Sequence, residues 1–164
     1  MLSDHPPISS IFSWTLNDDI RLSNTFGGPH GDQFTDVASA AGGQTVKSIT
    51  LRSGSRVDAV SLTMSAPTTK AFTHGGTGGT AKTLTLSSGE YITAMEAHWG
   101  KYNSHTRIFN LKFMTSLGNT LSGGTTTGDS ATVYAPEGYQ LSAFHGRGGD
   151  EIDALGAIWT KIST

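Results

Sequence analysis

An all-β domain of three similar antiparallel sheets around a pseudo-threefold axis is the fold this sequence predicts. Three observations carry the prediction. Apolar residues alternate with period two from Thr45 onward. Gly and Ser clusters interrupt the alternation about every ten residues, as turns between strands do. A strand–loop–strand unit recurs at a long, nearly regular spacing.

The strands follow in order. Ser9–Leu22 carries Ile11, Trp14 and Leu16 at strand spacing, then Asn17-Asp18-Asp19 as a turn. Phe12 and Trp14 are costly to leave in water, so this segment is expected to pair with the sheet. Val46, Ile49 and Leu51 begin the regular part. Val57, Val60, Leu62 and Met64 continue it, then Leu84 and Leu86, then Ile108, Leu111 and Phe113, then Leu141 and Phe144. No segment shows a sustained helical period with caps.

Three units superpose. The first runs from Ile49–Gly54 into Asp58–Met64, the second from Ala94–Gly100 into Arg107–Phe113, the third from Leu141–Gly146 into Asp153–Trp159. The steps from 58 to 107 and from 107 to 153 are 49 and 46 residues. Glycine-rich loops keep the same rhythm at Gly27–Gly31, Gly75–Gly79 and Gly123–Gly128. Residues 1–25 read as an N-terminal extension packed on the sheet, and 26–164 as the repeating domain.

Composition narrows the chemistry. The chain has 164 residues, enough for one sizeable core. Its net charge is −2 and only 15% of residues are charged, with no basic stripe for nucleic acid. There is no cysteine, which excludes a disulfide scaffold, a thiol nucleophile and a thiolate metal site. No apolar run approaches the roughly 20 residues of a membrane helix, so no membrane insertion is expected. The first residues lack the basic and apolar regions of a signal peptide, which leaves localisation open between a secreted chain trimmed of its signal and a cytoplasmic one.

The stretch with most chemical content is Gly149-Asp150-Glu151-Ile152-Asp153. A near copy, Gly54-Ser55-Arg56-Val57-Asp58, lies 95 residues upstream. A short loop from glycine to aspartate, repeated in this way, suggests a duplicated ligand site. On its own each aspartate also suits a turn cap. His30, His74, His98, His105 and His145 lie near loops, but none shows metal-ligand spacing, so no metal and no cofactor are expected. The carboxylates share one loop instead of facing each other across a bond, and no Gly-x-Ser-x-Gly elbow occurs, so no enzyme is expected. Trp14, Trp99 and Trp159 read as packing residues, with Trp99 beside a loop.

These residues together resemble the jacalin-related lectins. The resemblance covers about residues 26–162 and is strongest over Phe144–Gly156, with Phe26–Asp36 and Thr106–Phe113 matching in order. It implies the β-prism I fold, three Greek-key sheets, and carbohydrate binding without catalysis. Glycans or glycoproteins are the implied partners, met in multivalent assemblies such as a homo-oligomer. By resemblance, site 1 comprises Gly31, Gly149, Asp150, Glu151 and Asp153. Asp153 accepts from adjacent sugar hydroxyls, the Asp150 and Glu151 N–H groups donate, and Gly31 faces them. Site 2 comprises Gly54, Arg56, Val57, Asp58 and Gly79. The third unit lacks a matching aspartate, and Arg107 falls at the equivalent place. The acidic tip Asp150-Glu151 is expected to raise the Asp153 pKa and to disfavour acidic glycans. Gly31 lies inside the chain, which by resemblance favours the mannose/glucose branch. The alternative is a non-catalytic structural or protein-interaction module on the same fold, its aspartates serving turns.

Overall fold

The computed structural model describes residues 13–163. Ile11 and Phe12 lie outside them. The chain forms β1 (Ser13–Asn17), β2 (Ile20–Ser23), β3 (Phe26–Gly27), β4 (Asp32–Thr35), β5 (Thr45–Ser53), β6 (Val57–Ala66) and β7 (Lys70–Gly75). It continues through β8 (Thr80–Thr85), β9 (Ile92–Tyr102), β10 (His105–Thr115), β11 (Thr120–Gly124), β12 (Asp129–Tyr134), β13 (Tyr139–Gly148) and β14 (Ile152–Lys161). One short 3₁₀ turn, Val37–Ser39, is the only helical element among the described residues. No helix there is long and apolar enough to cross a membrane.

All pairings are antiparallel and fall into three sheets. One runs β7-β6-β5-β8, a second β11-β10-β9-β12. In both, the fourth strand returns beside the first, the Greek-key order. The third sheet has the same plan but is split in sequence. Its central hairpin is β13-β14, while its outer strands β3 and β4 come from the other end of the chain. β2 pairs with β14 at Ile158–Thr160 and β1 pairs with β2, so the described part of residues 1–25 is a strand pair of this sheet.

The apolar faces of the three sheets meet in one core. Ile49, Leu51, Leu62 and Met64 from the first sheet are fully buried, as are Met95, Ile108, Leu111 and Phe113 from the second. The third contributes Leu141, Phe144, Leu155, Ile158 and Trp159. Phe113 and Phe144 meet edge to face at 6.0 Å. Leu84 and Leu86, on and after an edge strand, are partly buried against this core. β14 is buried along nearly its whole length, Ile152–Thr160, on both faces. Ring stacks join the sheets: Phe26 on Trp99 at 5.7 Å and Phe34 on His74 at 3.8 Å. The His74 imidazole also meets the Asp36 carboxylate at 2.9 Å.

Candidate functional site

The hairpin tips β5–β6, β9–β10 and β13–β14 gather at one end of the prism. Near each tip the central hairpin contains a β-bulge. Arg52 pairs with Ala59 and Ser53 with Val57, so Asp58 is the extra residue. Arg147 pairs with Ala154 and Gly148 with Ile152, so Asp153 is the extra residue. Trp99 pairs with Ile108 and His98 with Asn110, which makes Phe109 the third. A bulge re-aims its unpaired side chain out of the ladder, which turns these residues toward the glycine loops.

The backbone confirms the equivalence. Gly28 N–H donates to the Asp153 carbonyl, Gly76 N–H to that of Asp58, and Thr125 N–H to that of Phe109. The preceding glycines, Gly27, Gly75 and Gly124, have φ of 108°, 105° and 96°, and each packs where a Cβ would strike that same carbonyl. The third member of the set is therefore Phe109, not Arg107. Arg107 stands two residues before the bulge because the β9–β10 hairpin extends further, with Asn103 and Ser104 at positive φ in its turn. Phe109 carries no acceptor, and its ring lies against Gly100.

Site 2 brings its residues together. A Cβ on Gly79 (φ +69°) would lie 2.5 Å from Asp58 Oδ2, and one on Gly78 would lie 2.6 Å from Oδ1. The Asp58 side chain is half-buried, and no described residue donates a hydrogen bond to its carboxylate. Burial first, then the nearby Glu151 charge, raises its pKa, against the pull of Arg56 and Arg52. Gly54 is exposed at the hairpin tip, where its N–H donates to the Arg56 carbonyl. Val57 faces the core.

Site 1 also brings its residues together, but its carboxylate is occupied. A Cβ on Gly31 (φ +81°) would lie 2.5 Å from Asp153 Oδ1. Arg107 Nη1 donates to Asp153 Oδ2 at 2.8 Å. Asp153 is only 1% exposed, and neither its Oδ1 nor Arg107 Nε has a hydrogen-bond partner. His30 and His105 stack at 4.3 Å beside this pair. Burial raises the Asp153 pKa, while Arg107, His30 and His105 pull it down. The Glu151 charge also raises it, but less than burial does, so the expected acidic-tip effect is secondary. Gly149 and Asp150 are exposed.

Glu151 is not a free acidic tip. Its carboxylate takes a bidentate pair from Arg56, Nε at 2.7 Å and Nη2 at 3.0 Å. This bond holds Glu151 below its ordinary pKa. The Arg56 guanidinium also lies 3.6 Å over the Tyr102 ring, so the three tips are tied together. The glycine loops interlock with the tips as well. Gly28 packs on Thr106, Gly76 on the Asp150 carbonyl and Gly123 on Ser53, each too closely for a Cβ.

Sequence reasoning missed three residues that hold the glycine loops. Arg52 donates to the carbonyls of Gly78 (3.0 Å), Thr77 (3.1 Å) and Gly79 (3.2 Å). Arg147 Nε donates to the His30 carbonyl at 3.3 Å, and Thr127 N–H donates to His98 Nδ1 at 3.2 Å. The signal was present: an arginine stands six residues before each bulge aspartate. Among the described residues no group of three His, Cys, Asp or Glu side chains could hold a metal ion.

Three antiparallel Greek-key sheets around one core are the architecture of the β-prism lectins. The chain matches the model of the jacalin-like lectin domain over residues 23–158 and belongs to that family. It is 31% identical over 153 residues to secreted RxLR effector protein 19 of Plasmopara viticola, covering 89% of this chain and 84% of that one. Horcolin of Hordeum vulgare is 34% identical over 113 residues, 66% of this chain and 77% of the relative. Among solved structures, Malaysian banana lectin superposes with a TM-score of 0.76 at 26% identity, covering 85% of this chain and 97% of that chain. A mannose-binding jacalin-related lectin from Ananas comosus shares the fold, with a TM-score of 0.74 at 23% identity over 87% of this chain and 98% of that one. Membership makes this a carbohydrate-binding type of domain without catalysis.

Proposed function

We propose that the protein is a lectin for neutral glycans of the mannose/glucose type, with the aspartate–glycine loop at Asp58 as the binding position. The observation that carries this reading is the Asp58 carboxylate, held at a bulge, half-buried and hydrogen-bonded to no described residue. An ionised carboxylate is acceptor-only and takes two neighbouring hydroxyls at once. The N–H groups of Arg56 and Val57 are the proposed donors to the sugar's ring and primary oxygens. Gly78 and Gly79, lacking a Cβ, let the loop backbone pack directly against the Asp58 carboxylate. Two features support the mannose/glucose branch: Gly31 lies within a continuous β3–β4 loop, and a structural neighbour is described as mannose-binding.

The site is shallow and offers few contacts, so single-site binding is expected near a millimolar Kd, about 4 kcal/mol. Useful avidity would come from oligomers or clustered glycans. A dense glycan array tests the reading. Mannose- and glucose-terminated glycans should bind and acidic ones should not. Asp58→Asn should abolish the signal with the melting temperature little changed. An array on which no neutral glycan binds sinks the proposal.

A further inference from the structure

Arg56 and Arg107 stand two residues before their respective bulge residues, Asp58 and Phe109, so they are equivalent in the repeat. Glu151 stands in the same relation to Asp153. Both arginines turn to the β13–β14 tip. Glu151 takes Arg56 in a bidentate pair, and Asp153 takes Arg107. Asp58 receives a hydrogen bond from neither. The two aspartates therefore differ in availability although their bulges and facing glycines match. A hydroxyl pair arriving at Asp58 meets an acceptor with no bond to break. One arriving at Asp153 must displace a charge-assisted bond from a guanidinium only 22% exposed. Charge-assisted bonds are roughly twice as strong as neutral ones, and a displaced, half-buried arginine would lose its counter-charge.

We propose that Arg107 is a specificity-determining residue: its guanidinium fills at Asp153 the position that sugar hydroxyls take at Asp58, so neutral sugar binds through Asp58 alone. The inference rests on the neutral-sugar reading of Asp58. It makes this chain single-sited for neutral sugars and makes the second site recoverable by one substitution. His30 and His105, from the first glycine loop and the second sheet's tip, stack on each other beside the ion pair.

The test is an amide NMR titration with methyl α-mannoside and methyl α-glucoside. Wild type should show saturable shifts around Asp58, Gly78 and Gly79, and none around Gly31 or Gly149. Asp58→Asn should weaken binding at least tenfold. Adding Arg107→Ala to Asp58→Asn should restore binding, now with shifts at Gly31 and Gly149. Arg107→Gln, which keeps most of the stem, replaces the alanine variant if that one does not fold. Saturable shifts at Gly31 and Gly149 that survive Asp58→Asn overturn the proposal. So does a folded double variant that stays silent while wild type binds. Should both double variants fail to fold, Asp58→Asn decides alone: retained binding overturns the proposal and lost binding supports it. If wild type binds neither sugar, the Asp58 reading fails. A double variant that then gains binding would still establish Arg107 as the block, and one that stays silent would remove both proposals.

Discussion

A methyl group at position 79 would sit 2.5 Å from Asp58 Oδ2, on a backbone at φ +69° that L-residues other than glycine rarely adopt. Gly79→Ala is therefore expected to push the carboxylate aside. Sugar binding should fall at least tenfold by titration, and stability by about 1–2 kcal/mol by denaturant unfolding. Arg52→Ala reaches the same site indirectly, by releasing the carbonyls of residues 77–79. Acid offers a second test at this residue. The Asp58 pKa lies above its ordinary value, and hydroxyls need the ionised form as acceptor. Binding should be lost as pH falls through that raised pKa, with a midpoint above that of an ordinary aspartate, measured by titration across mildly acidic pH. Stability carries the opposite sign. A raised carboxyl pKa adds stability that is complete below the unfolded value and disappears as pH rises through the folded one.

At the level of elements, the bulges set the site and the ion pairs hold the tips in place. The Arg56–Glu151 pair joins two hairpins, is bidentate and is mostly sheltered from solvent. A double-mutant cycle on Arg56→Ala and Glu151→Ala should give a coupling of about 1 kcal/mol. The folded-state pKa of Glu151 is lowered, so this contribution is present above the unfolded value and is lost as pH falls through the folded one. A coupling unchanged by acidification would show that the charge on Glu151 does not carry it. The bulges left a trace in the sequence. Val57 and Val60, Ile108 and Leu111, and Ile152 and Leu155 are buried pairs three apart, where strict alternation would give two. Alternation and turn clusters were thus enough to find the three central hairpins, and the Asp and Gly loops marked where the hairpin tips and glycine loops meet. The pairing of Arg107 with Asp153 was not legible, because it joins tips from two different sheets. Neither was Phe109 as the third bulge residue, because the length of the β9–β10 hairpin had to be known first.

Across the whole molecule, β14 is the strand on which the third sheet depends, since it pairs with β13, β3 and β2. Trp159 is fully buried within it. Trp159→Ala should cost about 3–5 kcal/mol through lost burial and a cavity. At roughly 2–4 °C per kcal/mol for a chain of this size, the melting temperature should drop by about 6–20 °C. Leu117→Ser, at an exposed turn, should change stability by less than about 0.5 kcal/mol and serves as the control. The split third sheet also separates the two aspartates in time. Asp58 and Gly79 lie on neighbouring hairpins and need only a short loop closed between them. Asp153 finds Gly31 only after β14 returns to β3, a contact across most of the chain. During synthesis on the ribosome, the first pocket can assemble while later strands are still emerging, whereas the second must wait for β14 to leave the exit tunnel.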